Sequence, residues 1–145
     1  MKEHSLHATC VEIQGKAILI TGKSGRGKSS LALQLIDRGA LLVSDDQTLM
    51  TLKKGTLMAF PPPSLKGLME VRGVGICSFP YQEKSPVKLH VDIGEKKTVE
   101  RFPESTFREY FGIKIPYLRL IKNDPLGAIK VELKIALKEI NGEYA

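Results

Sequence analysis

The sequence predicts an α/β fold: a mixed β-sheet with flanking helices, organised around a phosphate-binding loop. Three observations predict it. Gly22-Lys23-Ser24-Gly25-Arg26-Gly27-Lys28-Ser29 fits G-x-x-x-x-G-K-[ST] at every required position. The apolar run Lys16 to Thr21 leads straight into Gly22, and Lys28 to Arg38 places Leu31 with Leu35 and Ala32 with Ile36 at i, i+4 spacing. Strand, loop and helix therefore arrive in the order a phosphate site needs. Third, His7 to Ile13 and the turn Gln14-Gly15 make an antiparallel hairpin with the loop's strand, while Ala40 to Ser44 is the continuous apolar run of a buried parallel strand.

The loop's chemistry needs these residue types. Gly22, Gly25 and Gly27 let the backbone turn tightly and bring its N–H groups onto phosphate oxygens. Lys23, Ser24, Arg26 and Ser30 complete the cradle, Lys28 reaches the β- and γ-phosphates, and the Ser29 hydroxyl suits a magnesium ion. The helix dipole favours the same anion, and Gly39 stops the helix.

With 145 residues the chain suits one domain over 1–145. Its 42% hydrophobic and 26% charged content is that of a soluble globular protein. No apolar run approaches the ~20 residues needed to span a bilayer. Residues 1–7 lack the apolar core of a signal peptide, so a cytoplasmic location is expected. Cys10 and Cys77 have neither metal nor disulfide spacing and read as buried thiols. The net charge of +6 fits phosphate binding, an acidic partner or nucleic acid. The lysines are scattered, however, and no arginine–aromatic interleaving suited to base stacking is present.

Each further element has its own signal. His7, at the far end of the first strand, would pair beside Thr21 and Gly22, near the phosphates; a structural and a functional role both stay open. Asp45-Asp46 follow a strand's carboxyl end, where α/β sheets gather functional groups, and they read as a catalytic pair rather than a polar turn. Thr48 to Leu52 and Thr56 to Phe60 form a hairpin over Lys53-Lys54-Gly55, ended by Pro61-Pro62-Pro63. Leu65 to Glu70 reads as a helical turn. In Glu70-Val71-Arg72-Gly73-Val74-Gly75-Ile76, Glu70 could complete a magnesium shell with Ser29, and Arg72 could offset phosphate charge. Val87 to Val91 alternates as a strand, with His90 a surface or core residue rather than a ligand. Asp92 to Thr106 reads as a loop carrying Arg101. Ile113 to Ile121 is a strand that Pro116 breaks and sends to an edge. Asp124 caps a final helix to about Ile140, with Pro125 in its first turn and Leu126, Ile129, Leu133 and Ala136 or Leu137 on its buried face.

Taken together, His7, ITGKSGRGKSS at Ile20 to Ser30, VSDD at Val43 to Asp46 and MEVRGVGI at Met69 to Ile76 resemble the catalytic domain of HPr kinase/phosphorylase. That family is related in fold to phosphoenolpyruvate carboxykinase. With no counterpart of the family's N-terminal domain, the chain resembles its short proteobacterial form. The resemblance implies ATP-dependent phosphorylation of a serine on HPr, the phosphocarrier of the sugar phosphotransferase system, with ATP and Mg²⁺ as cofactors. It implies that Asp46 is general base on the serine, and acid in reverse phosphorolysis. Asp45 is the first aspartate of that pair. The resemblance also implies that Lys28, His7 and Arg101 are active-site residues and that Ser29 and Glu70 hold magnesium. It brings Arg72 into the site within the second signature.

Departures bear on the rest. Gln47 stands where the family has an arginine after the aspartate pair. The basic loop before the last helix is reduced to Lys122-Asn123-Asp124-Pro125. The family uses that region for phosphorolysis and for holding HPr, so the departure touches the reverse reaction, the HPr contact and homo-oligomeric assembly. Two other readings remain: a non-catalytic ATP-binding sensor, and a P-loop kinase of a small metabolite, whose usual arginine-rich lid is not evident.

Overall fold

The computed structural model describes residues 3–23, 27–95 and 106–139. Ser24, Gly25, Arg26 and Arg101 of the expected site lie outside the described residues. The elements are β1 (His4–Leu6), β2 (Thr9–Ile13), β3 (Lys16–Gly22), α1 (Lys28–Asp37), β4 (Leu41–Ser44), β5 (Thr48–Lys53), β6 (Thr56–Phe60), a 3₁₀ turn (Pro63–Leu65), β7 (Leu68–Val71), β8 (Gly75–Ser78), β9 (Ser85–Gly94), β10 (Thr106–Tyr110), β11 (Ile113–Ile121) and α2 (Gly127–Glu139).

β3 is central because both of its faces are buried. Ile18 and Ile20 face one core with Leu31 and Leu35 of α1 and Val131 and Ile135 of α2. Ala17 and Leu19 face a second core with Val43, Met50, Leu57 and Ile115. Both helices thus cover one face, and the protein's own antiparallel strands cover the other. The strands run β10, β11, β9, β3, β2, β4, with β3, β9 and β11 mutually parallel and the other neighbours antiparallel. The first residues of β9 pair with β6 instead of β11, and β6 carries β5 and β1. Two of the tight turns are as expected: Gln14-Gly15 and Lys54-Gly55 have positive φ at both positions, as two-residue hairpins of this twist require. Phe111-Gly112 is a third of the same kind.

The structure corrects several expectations. β4 is antiparallel to β2, which lies between it and β3. Its apolar run reports burial of both faces, Leu42 into one core and Val43 into the other, and carries no information on direction. His7 is not in a strand: the pairing of β2 with β3 ends at Thr9↔Ile20, and the chain bends at His7 toward β1. The helical turn expected over Leu65 to Glu70 lies earlier, as the 3₁₀ turn Pro63–Leu65; Leu68–Val71 pairs with Gly75–Ser78, so the second signature is a hairpin that plugs Met69 into the core. β9 extends to Gly94 and β10 begins at Thr106, shortening the expected loop from both ends. β11 is unbroken and sits between β10 and β9. Pro116 precedes Tyr117↔His90, where the parallel ladder to β9 begins, so its missing N–H interrupts nothing there. Cys10 is buried as expected, but Cys77 is only half-buried.

The last helix is rotated from its expected face. Asp124 Oδ1 does accept from Leu126 N at 2.9 Å, as a cap should. The buried residues are Ala128, Val131 and Ile135, whereas Leu126, Ile129 and Leu133 are exposed. Both sets have i, i+3, i+7 spacing and stand on opposite sides of the helix, so periodicity admits either. Removing a fully packed side chain leaves a cavity, whereas an exposed one leaves none. Ile135→Ala should therefore cost about 3 kcal/mol, and Leu133→Gln less than about 0.5 kcal/mol, both read by denaturant unfolding. No helix among the described residues is long and apolar enough to cross a membrane.

Candidate active site

The carboxyl ends of β3 and β4 and the N-terminus of α1 converge on one cavity of about 1120 Å³, lined by Gly27, Lys28, Ser29, Ser30, Asp45, Asp46, Glu70 and Arg72 among others. The described part of the phosphate loop is as the motif requires. Gly27 holds a φ of 89°, where a side chain would strain the backbone, and its carbonyl accepts from Leu31 N in the first turn of α1. Lys28 is buried, and its Nζ donates to the carbonyls of Gly22 and Lys23 at 2.8 and 3.4 Å. Gly22 ends β3, and Lys23 is exposed.

The two aspartates sit in different surroundings. Asp45 is held by three hydrogen bonds: its Oδ1 accepts from Thr9 Oγ1 at 3.1 Å and Ser29 Oγ at 3.0 Å, and its Oδ2 from the backbone N–H of Glu70 at 3.2 Å. It ties β2, α1 and the β7–β8 hairpin together at one carboxylate. Asp46 projects into solvent, its side chain 76% exposed and partnered by His7 Nε2 at 2.7 Å from Oδ1. Its φ is 67°, and Gln47 N donates to Asp45 O at 2.7 Å around it, a γ-turn with positive φ. Such turns are rare and strained, and strain of this kind gathers where function needs a side chain aimed.

Nearly all described residues of the expected site meet here. His7 reaches Asp46 from the bend before β2, although its expected pairing with β3 is absent. Glu70 and Arg72 stand on the cavity wall, carried by the hairpin. Among the described residues, no three His, Cys, Asp or Glu side chains converge as a self-contained metal site. Sequence reasoning missed Thr9. Its buried hydroxyl donates to Asp45 and accepts from Asp46 N at 3.2 Å, and so fixes both aspartates. A threonine in an apolar strand gives no signal of this before the fold pairs β2 with β4. Gln47 donates from Nε2 to Ser5 Oγ at 2.9 Å, turned away from the cavity toward β1.

A second polar cluster sits at the same end of the parallel strands, on the face opposite the helices. His90 is 6% exposed, with Thr21 Oγ1 at 2.6 Å from Nε2 and Tyr110 Oη at 2.8 Å from Nδ1. Burial pushes His90 from 6.5 down to about 4; the Asp92 charge opposes this and Arg108 adds to it. Because the folded value lies below the unfolded one, the unfolded chain binds a proton through this window that the folded chain refuses. The contribution is whole above pH 6.5 and is lost as pH falls toward 4. It amounts to about 3 kcal/mol at the limit. Denaturant unfolding of wild type between those pH values should show this slope, and His90→Gln, which does not titrate, should flatten it.

Residues 1–124 match the family model described as the HPr Serine kinase C-terminal domain. The chain is 42% identical over 98 residues to an HPr kinase/phosphorylase of Mycoplasma mycoides, covering 63% of this chain and 31% of that one. It is 47% identical over 74 residues to the HPr kinase/phosphorylase of Clostridium botulinum strain Eklund 17B, covering 51% and 24%. The matched segment therefore spans less than a third of those relatives' length. The fold is similar to that of the Hpr(Ser) kinase/phosphatase from Coxiella burnetii, with a TM-score of 0.85, 24% identity, and coverage of 97% of this chain and 99% of that one.

Proposed function

The chain belongs to the HPr serine kinase C-terminal domain family, and from that premise we propose that it is an ATP-dependent kinase for a serine of HPr, with residues 1–145 acting as one catalytic domain. One observation carries the reading: two adjacent strand-end carboxylates, one locked by three hydrogen bonds beside Ser29 and the other open to solvent. A protein substrate can reach only the second.

The Gly22 to Ser30 motif would hold the phosphates of ATP, with backbone N–H groups and the start of α1 offsetting their charge. Lys28 leaves the carbonyls of Gly22 and Lys23 for the β- and γ-phosphates. Ser29 and Glu70 are the residues that would hold magnesium. The donor set fits, since this ion takes one or two carboxylates together with phosphate oxygens and water. Bound there, it offsets phosphate charge. Asp45 keeps the Ser29 hydroxyl and the Glu70 backbone in place. Asp46 takes the proton of the incoming serine hydroxyl, whose oxygen bonds to the γ-phosphorus as the bond to the β–γ bridging oxygen breaks and ADP leaves. His7, bonded to Oδ1, turns Oδ2 toward the serine. Arg72, and Arg101 by family resemblance, stabilise the charge of the transferring group. In the reverse direction Asp46 returns the proton.

The reading carries a cytoplasmic location and homo-oligomeric assembly with it, and no nucleic-acid partner. Formation of ADP by the purified chain in ATP-Mg²⁺ should depend on added HPr and not on a panel of small metabolites. Turnover on a metabolite would transfer the assignment to a small-molecule kinase. Tight ATP binding with no turnover on either would make the chain a sensor.

A further inference from the structure

We propose that Thr21, His90 and Tyr110 form a positioning relay that fixes where the phosphate loop leaves the sheet; this rests on the kinase reading. The proton assignment follows from the contacts. The Thr21 hydroxyl, with a single proton, donates it to Asp92 Oδ1 at 2.7 Å, because a carboxylate can only accept. Its oxygen must then accept from His90, so Nε2 carries the ring proton in the 2.6 Å contact. Nδ1 of the neutral ring is bare and accepts the Tyr110 hydroxyl at 2.8 Å. The chain of donors runs one way, from Tyr110 through His90 and Thr21 to Asp92, and every member is satisfied.

The relay joins β10 to the residue before Gly22. Glycine has wide backbone freedom, so nothing in Gly22 itself sets the direction of the loop. Its carbonyl nevertheless holds Lys28 Nζ. An anchor on the preceding side chain supplies that direction, and Thr21 is held from two sides by residues far along the chain. The surroundings are built for this. Asp92 faces the relay from β9, Arg108 and Tyr110 from β10, and Tyr117 and Arg119 from β11. Tyr117 packs edge-on against the His90 ring, Arg108 lies 3.7 Å over Tyr117, and Arg119 approaches Asp92 at 3.7 Å. None of these groups lines the cavity, so they act through the loop and not on the substrate.

The test compares wild type with Thr21→Val, Tyr110→Phe, His90→Gln, His90→Phe and Val87→Ala at a temperature where all are folded by circular dichroism. ATP-Mg²⁺ dissociation constants and the kcat of transfer to HPr are the readouts. Thr21→Val keeps the shape and removes both hydrogen bonds; it should lower kcat by about 10- to 100-fold, the cost of a misplaced reacting group. His90→Phe should follow it. His90→Gln, which retains a donor and an acceptor, should recover most of the loss, and Tyr110→Phe should fall between. Val87→Ala removes packing from the adjacent core, and it should lower the melting temperature while leaving both constants alone. Nitrogen-15 NMR of wild type needs no variant. It should show a neutral Nε2–H ring at neutral pH whose signals move when ATP-Mg²⁺ is added. A Nδ1–H tautomer, or wild-type constants in Thr21→Val and His90→Phe, would overturn the relay while the kinase reading stood. Absence of ATP binding by wild type would overturn both.

Discussion

Asp46→Asn is expected to lower phosphoryl transfer to HPr by about 100- to 10,000-fold, the range for loss of a general base, with ATP affinity little changed. The substitution isolates the proton-accepting role. Asparagine tolerates the left-handed backbone that Asp46 adopts at φ 67°. It also keeps an oxygen for His7 and the volume of the side chain. What it loses is basicity at the one carboxylate of the pair that a partner protein can touch. Single-turnover transfer with ATP binding measured in parallel separates the two effects. A variant that transfers at the wild-type rate would remove Asp46 from the chemistry.

Lys28→Met is expected to weaken both ATP-Mg²⁺ binding and transfer, with the rate falling by about 100- to 1,000-fold, as when one preorganised charge-stabilising donor is removed. Methionine preserves the stem and its packing at a position only 8% exposed, but it deletes the ammonium. The resting contacts to Gly22 and Lys23 vanish as well, so the loop loses an internal tether before any nucleotide arrives. The two readouts distinguish Lys28 from Asp46: the aspartate variant should bind and not transfer, whereas the lysine variant should do neither well. Titration with a fluorescent nucleotide reads the first quantity and label transfer the second.

The parts of the molecule that local chemistry controls were legible in the sequence. Loop, preceding strand, α1 and the Gln14-Gly15 and Lys54-Gly55 turns follow from glycine placement and apolar spacing. Asp45 and Asp46 were found by their position after an apolar strand. Their anchoring was not foreseen, because it depends on Thr9, which lies 36 residues from Asp45 and meets it only when β2 pairs with β4. The pairing of β4 was misread: it runs in the same direction as β3, but its ladder is with the antiparallel β2 between them, and burial on both faces erases the alternation that marks such pairing. The helix face was misread because α2 carries two equally spaced apolar stripes. β10 was missed although Phe111-Gly112 gives the hairpin signal, since Phe107 and Tyr110 are separated by two charged residues and no period-2 alternation marks this largely exposed strand. His90 looked like a lone histidine; Thr21 and Tyr110 are 69 and 20 residues away, and only the sheet brings all three together.

Transfer of the γ-phosphate of labelled ATP to HPr, run beside HPr whose acceptor serine is replaced by alanine, decides whether the chain is a serine kinase for this phosphocarrier. Label is expected on the first protein, dependent on magnesium, and none on the second. Equal labelling of both, or of neither while wild type binds ATP, would contradict a serine kinase acting on HPr.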